Sequence, residues 1–211
     1  MINFLLVLFA ATLLYVSVTT RMEAYIKILF VQGLIMFCMV ALEAHSLNSF
    51  SFFFLGLETL GFKAIIIPLI LVKVVRRLGI HREVEPYTMN FHSLMIATFI
   101  LIFGFVTAYM AIEPAQMIKP LHLGVSIATI MIGLYIIMSR KKIITHILGF
   151  IILENGIFML SLSIAGEMPF IVNLGVMLDI FIGIFLLVMV LNRIHETFDE
   201  GHIDKLTHLT D

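Results

Sequence analysis

Long apolar runs, broken by short polar or basic stretches, extend along the whole chain. A membrane-spanning helix needs about 20 consecutive apolar residues. By that measure the sequence predicts seven spans, most of which end where charges or prolines cluster. The predicted spans cover approximately residues 3–20, 25–45, 50–75, 91–112, 121–139, 143–165 and 170–193, and a polar tail then runs to residue 211.

The composition supports an all-α integral membrane protein. Hydrophobic residues make up 61% of the chain and charged residues only 13%, whereas a soluble domain is about one quarter charged. The first apolar run follows no basic segment and has no small-residue cleavage signature, so it is interpreted as a retained helix and not as a signal peptide. The single cysteine, Cys38, is expected to be a small core residue, because one thiol cannot build an iron–sulfur or zinc site.

The positive charges predict the topology. Seven spans place most Lys and Arg residues on one side of the membrane, while Lys119 stands alone on the other. Such a bias marks the cytoplasmic side, so the N-terminus is expected outside and the C-terminus inside. Lys27 lies close enough to its helix end to extend toward the cytoplasmic surface. The residues on the basic side are Arg21, Lys73, Arg76, Arg77, Arg82, Arg140, Lys141, Lys142, Arg193 and Lys205.

Two carboxylates, Glu154 and Asp179, lie near the middle of the last two predicted spans. Glu154 falls about 16 Å from the cytoplasmic end of its span and Asp179 about 14 Å from the outer end, which places them at similar depth. A carboxyl group at that depth usually faces the protein interior or a water-filled cavity and often marks a proton or ion path. The alternative is a permanently protonated acid in an interhelical hydrogen bond. Small residues that allow close helix approach flank both acids: Gly149, Gly156, Gly175 and Gly183.

The third predicted span holds a second pair, Glu58 and Lys63. In an α-helix these positions are about 140° apart, so they are not expected to face each other. A buried lysine can switch its charge, and Pro68 is expected to kink the span and to expose backbone carbonyls that attract water. The alternative is an ion pair with another helix that holds the bundle together.

The remaining polar residues give weaker signals. Glu43, His92 and His122 lie near span ends, where interfacial hydrogen bonding is expected, and His146 is a possible proton entry toward Glu154. The sequence has no nucleotide fingerprint, nucleophile elbow or paired-histidine metal motif. No catalytic, cofactor-binding or metal-binding residue is therefore expected in this chain.

The C-terminal part resembles the small K subunit of complex I and its antiporter-complex relatives. The resemblance lies in SRKKIITHILGFIILEN, VMLDIFIGIFLLVMVLNRI and GHIDKLTHL. In that family, glutamates of these helices are implicated in proton transfer. They map onto Glu154 and Asp179, the second of which is one methylene shorter here.

Nearly the whole chain resembles hydrogenase-4 component E. The resemblance lies in FKAIIIPLI, LENG and the Asp-Ile-Phe of the seventh span, and the spacing of Lys63 and Pro68 is also similar to the lysine helix of antiporter-like subunits. It implies a multi-pass inner-membrane subunit of a group 4 [NiFe]-hydrogenase complex of the formate-hydrogenlyase type. Glu154 and Asp179 would relay protons, and Lys63 and Glu58 would link that relay to a neighbouring antiporter-like subunit.

The same resemblance implies a set of partners and a division of the chain. The [NiFe] centre and the iron–sulfur clusters would lie in a peripheral arm, and the membrane partners would be antiporter-like and H-subunit-like chains. Residues 1–112 would form a four-helix segment, 113–193 the K-subunit-like module and 194–211 a cytoplasmic tail. Two alternatives stay open: a subunit of complex I or of a cation/proton antiporter, and a purely structural membrane anchor.

Overall fold

The regular secondary structure is helical throughout the part of the chain that the computed structural model describes. That part comprises residues 1–43, 49–78, 89–110, 119–141 and 143–164, with single positions at 175, 183 and 189. The chain divides into two compact units, Met1–Val176 and Met177–Asp211, and every helix given below belongs to the first. Asp179 lies outside the described residues.

The described helices follow the predicted spans closely. Residues 49–78 form one continuous helical stretch, which changes from α to π geometry and back. The predicted seventh span, 170–193, lies outside the described residues except at three positions, so the count of seven stays a prediction. The elements are α1 (Ile2–Val18), α2 (Met22–Leu42), α3 (Ser49–Gly56), a π-helical segment (Leu57–Ile66), α4 (Ile67–Leu78), α5 (Asn90–Met110), α6 (Pro120–Ser139) and α7 (Ile143–Ile164).

Five described stretches are long and apolar enough to cross a membrane, and α1 is a shorter apolar helix of 17 residues, or about 26 Å. The exposed side chains of α5 indicate which environment surrounds this helix. Phe91, Phe99 and Tyr109 are 68, 70 and 77% exposed. A soluble protein rarely exposes so large an apolar surface, whereas lipid accommodates it. The chain is therefore a multi-pass helical membrane protein.

Helix α6 has the most extensive contacts of the first unit. It packs against α7, α5 and α1, while α2 contacts α1, the π-helical segment, α4 and α7. Glycines allow the close approach of α6 and α7. A Cβ added at Gly133 would lie 2.7 Å from the Leu153 nitrogen, and one at Gly156 would lie 2.7 Å from the Ile130 nitrogen.

Gly149 and Gly156 were expected to allow close helix approach, and both pack tightly against α6. An expectation about another small residue was wrong. Cys38 was expected in the core, but it is exposed on the outer face of α2. Its position on an apolar helix with lipid on one side does not require burial within the protein, because lipid and protein core are similarly apolar.

Candidate functional site in the helical bundle

Glu58 and Lys63 form a buried ion pair inside the π-helical segment. The Lys63 Nζ lies 3.7 Å from Glu58 Oε1, and the two side chains are 4% and 2% exposed. The expectation that they face apart was wrong because it assumed α geometry. A π-helix closes its hydrogen bonds from residue i to i+5, which brings residues five apart onto nearly the same side.

The π geometry ends next to Pro68. The Ile67 amide hydrogen-bonds to the Phe62 carbonyl, five residues back, and α4 begins at Ile67. Pro68 has no amide hydrogen to donate, so a regular α ladder would be interrupted here in any case. The structure has a π segment on the N-terminal side of the proline, and the kink expected at Pro68 stays a prediction.

Helix α2 fits tightly against this segment at Gly33. A Cβ added there would lie 2.7 Å from the Ala64 nitrogen, so only glycine permits this approach. Gly33 follows Gln32 and Ala64 follows Lys63 in the sequence. This close contact thus involves the residues that directly follow both polar residues in the sequence.

Lys63 also reaches α7. Its Nζ lies 4.9 Å from the centre of the Phe158 ring, a cation–π geometry. Glu154 lies one helical turn before Phe158 on the same face of α7 and is 2% exposed. The structure therefore places the lysine of the π segment against the helix face that carries the predicted proton carboxylate.

A chain of hydrogen bonds joins α7 to α2 and α1. Asn155 Nδ2 donates to Gln32 Oε1 at 3.1 Å, and Gln32 Nε2 donates to Thr12 Oγ1 at 3.0 Å. The Thr12 hydroxyl donates to the Phe9 carbonyl. Asn155 and Gln32 are 1% and 0% exposed. Polar side chains commonly bond across membrane helices in this way.

Sequence reasoning missed this amide chain. The sequence held one usable signal, because Gln32 is an amide in the middle of an otherwise apolar run and therefore needs a partner. Its partner Asn155 directly follows Glu154 in the sequence. Asn155 Oδ1 is buried and receives no hydrogen bond from the described residues, so it can accept one.

Charged groups also connect the helix ends. Arg140, at the C-terminus of α6, is 2% exposed and donates from Nη2 to the carbonyls of Ser17 and Thr19 at 3.0 and 3.3 Å. A cation is favourable there because the last carbonyls of α1 carry partial negative charge. Near the C-terminus of α2, Glu43 pairs with Lys119 at 2.5 Å and lies 3.7 Å from His122 Nε2. The expectation that Glu43 and His122 are merely interfacial was incomplete, since they belong to one cluster.

The remaining predicted site residues are less closely connected. His146 lies in the second turn of α7, eight residues before Glu154, so the two are separated by about 12 Å along the axis. Direct transfer between them is excluded at that separation. Among the described residues, no group of three His, Cys, Asp or Glu side chains could hold a metal ion.

These features define a multi-pass helical membrane protein with ionisable and amide side chains buried between its helices. Comparison with curated proteins gives a more specific relationship: the chain is distantly similar to hydrogenase-4 component E. It is 25% identical to that protein of Escherichia coli K12 over 148 residues, which cover 70% of this chain and 68% of the relative. The component E of Shigella flexneri gives the same values.

A longer match exists to a protein of Mycobacterium tuberculosis named "Uncharacterized protein Rv0085". It is 26% identical over 198 residues, which cover 90% of this chain and 87% of that protein. No protein-family profile matches the chain, and no solved structure matches it. The resemblance of the C-terminal part to the complex I K subunit stays a prediction.

Proposed function

We propose that this chain is a membrane subunit of a group 4 [NiFe]-hydrogenase complex and carries part of its intramembrane proton or ion path. The distant homology to hydrogenase-4 component E supports the membership. The observation that carries the transport role is the buried Glu58–Lys63 pair, whose lysine lies against the α7 face of Glu154. Ionisable groups are costly at membrane depth and usually serve ion or proton pathways.

The geometry suggests how charge would move. At 3.7 Å the Lys63 Nζ and the Glu58 oxygen lie within ion-pair distance and beyond ordinary hydrogen-bond length. Protonation of Glu154 would remove a negative charge near α7 and favour Lys63 closer to Glu58, and deprotonation would have the reverse effect. Lys63 thus couples the charge state of α7 to that of the π segment.

The rest of the relay follows the sequence resemblance. Asp179 would exchange protons with Glu154 from the next helix, and His146 would accept protons from the cytoplasm and pass them on through intervening water. The partners would be antiporter-like and H-subunit-like membrane chains and a peripheral formate-hydrogenlyase-type arm that holds the [NiFe] centre and the iron–sulfur clusters. Through its charge changes the arm would bias the buried groups of this chain.

The proposed orientation places the N-terminus outside and the C-terminus in the cytoplasm of a cell with an inner membrane. Two contacts support it. Arg140 donates hydrogen bonds to the carbonyls at the C-terminal end of α1, and Arg21 follows that end closely in the sequence. These two basic residues therefore share one end of the bundle. Lys119 pairs with Glu43 at the C-terminal end of α2, which is the other end. The charge asymmetry then assigns the Arg140 end to the cytoplasm.

The transport role is tested in inverted membrane vesicles by measuring hydrogen turnover and vesicle acidification in the same sample. We expect Glu58→Gln and Glu154→Gln to retain hydrogen turnover while acidification per hydrogen molecule falls. Glu23→Gln is the matched control, because it makes the same change at an exposed position in the first turn of α2. A wild-type ratio in both buried variants would disprove the relay.

A structural anchor is the second candidate. Its support is that Arg140 and the amide chain connect α1, α2, α6 and α7 within this one subunit. An anchor predicts that Glu154→Gln and Lys63→Ala reduce the yield of assembled complex, while each assembled complex still acidifies normally. Purification of the tagged chain followed by a nickel assay tests the hydrogenase complex itself, which both candidates require. A subunit of complex I or of an antiporter would co-purify with its partners but without nickel.

A further inference from the structure

A groove of 520 Å³ runs between α1 and α2 on the outside of the bundle. Its lining includes three charged side chains, those of Arg21, Glu23 and Lys27. The remainder is mostly apolar and open to the surroundings, with Leu8 41% exposed and Tyr15 60% exposed. The volume lies within the range of about 300–1,000 Å³ that is typical of ligand sites.

The length of the groove matches one leaflet of a membrane. From Arg21 to Val31 the α2 wall covers about 15 Å, which is half of the hydrocarbon core of about 30 Å. Arg21 is the N-cap of α2 and therefore lies at the end of the membrane-spanning stretch, at headgroup level. Lys27 lies about 9 Å further along the helix, and its flexible stem can bring its ammonium back toward that level.

The charges of the groove select the headgroup. Two cations and one carboxylate leave a net positive charge where lipid phosphates lie. Basic pockets between membrane helices recognise anionic lipid headgroups, whereas a zwitterionic headgroup gains little from a net positive site. Tyr15 adds an aromatic ring with a hydroxyl near the end of α1, a residue type that favours the membrane interface.

We propose that the α1–α2 groove is a binding site for one anionic phospholipid, with its phosphate held by Arg21 and Lys27 and one acyl chain against Leu8, Tyr15 and Val31. The site does not depend on the redox role of the complex. Glu23 limits the affinity because its carboxylate repels the phosphate.

The chain contains no tryptophan, so the fluorescence of one introduced tryptophan reports only on lipid contact at its own position. Tyr15→Trp puts it in the groove, and Tyr109→Trp puts it on the lipid-facing side of α5, where the native ring is 77% exposed. The purified full chain is placed in vesicles of phosphatidylcholine with increasing fractions of brominated phosphatidylglycerol. A parallel series uses brominated phosphatidylcholine at the same mole fractions.

We expect the Y15W indole to be quenched preferentially by the brominated anionic lipid, and the Y109W indole to be quenched equally by both lipids. In the Y15W background, Arg21→Gln and Lys27→Gln should each lower the preference about fivefold. Glu23→Gln should raise it, and this opposite direction cannot arise from misfolding. Arg21 and Lys27 are exposed, so neither substitution disturbs the core.

Three results would overturn the proposal. Equal quenching of the Y15W indole by both lipids would show that the groove does not select anionic headgroups. Failure of both lipids to quench would show that lipid is excluded, as a partner helix would do. Loss of the preference for the anionic lipid when inorganic phosphate is added would show that Arg21 and Lys27 bind a free anion and not a lipid headgroup.

Discussion

The Lys63 ammonium nitrogen lies 3.7 Å from the Glu58 carboxylate inside one π-helical segment and 4.9 Å from the centre of the Phe158 ring on α7. One cation thus joins a carboxylate of its own helix to the aromatic face of another. In an α-helix the two charges would project in different directions. The local change to i→i+5 hydrogen bonding is therefore what creates the pair.

Removal of the Lys63 charge should destabilise the bundle. Lys63→Met retains the apolar stem but removes the cation 3.7 Å from Glu58, and disruption of a buried pair from one side costs about 3–5 kcal/mol. The measurement is the fraction of monodisperse tagged protein that remains after heating in detergent. The double variant with Glu58→Gln should recover much of the loss, because neither position of the pair then carries a charge. If the double variant were as unstable as the sum of both single variants, the pair would not be coupled.

The approach of α2 to the π segment should depend on one missing methyl group. Gly33→Ala would place its Cβ 2.7 Å from the Ala64 backbone nitrogen, and we expect a loss of about 1–3 kcal/mol as the helices separate. Gly61→Ala in the same segment is the control, because its Cβ would lie 3.5 Å from Leu57 Cδ1, an ordinary contact. The thermal stabilities of the two variants are compared by monitoring their unfolding with circular dichroism. Equal stability would refute the close approach.

The amide chain should contribute to stability through its central member. Gln32→Leu removes the acceptor of Asn155 and the donor to Thr12, and we expect a loss of about 1–3 kcal/mol for the buried groups that lose their bonds. Thr98→Val is the control, since its exposed hydroxyl bonds only to the Leu94 carbonyl of its own helix. Urea or heat unfolding of both variants gives the difference. A wild-type unfolding midpoint for Gln32→Leu would show that these hydrogen bonds contribute nothing to stability.

Arg140 and its neighbour Lys141 allow topology to be separated from tertiary structure. Arg140→Met and Lys141→Met each remove one positive charge from the same end of α6, so their effects on membrane orientation should be equal. Arg140→Met loses the bonds to the Ser17 and Thr19 carbonyls, and we expect it to lower stability by about 1.5–3 kcal/mol, more than the change at the exposed Lys141. Orientation is read from cysteine accessibility at the termini and stability from thermal unfolding. A similar loss in both variants would argue against the α1 cap.

A large part of the fold follows from the sequence pattern. Lipid requires each span to satisfy its own backbone hydrogen bonds, so an apolar run of sufficient length specifies a helix and leaves little freedom at its ends. Six predicted spans agree with described helices for this reason. The same logic predicted that Glu58, Lys63 and Glu154 are buried ionisable groups, and they are 2, 4 and 2% exposed.

The relationships between helices were much less predictable. Gly149 and Gly156 pack against α6, and the sequence did not predict that neighbour because small residues show that a close contact exists but not with which helix. Gln32 and Asn155 are 123 positions apart, and their hydrogen bond depends on how α2 and α7 pack. Asp179 was predicted to act with Glu154, and that relationship stays a prediction because Asp179 lies outside the described residues.

The membrane class, the positions of the helices and the residue types that need partners follow from the amino-acid sequence, because transfer from water to lipid depends on composition and length. The partners that those residues find depend on how the helices pack. The pairing of Glu58 with Lys63 required a π-helical backbone, and the contact of Lys63 with Phe158 required α7 to lie beside the π segment. Both depend on side-chain packing between helices, to which apolar lipid adds no sequence-readable preference for one neighbour over another.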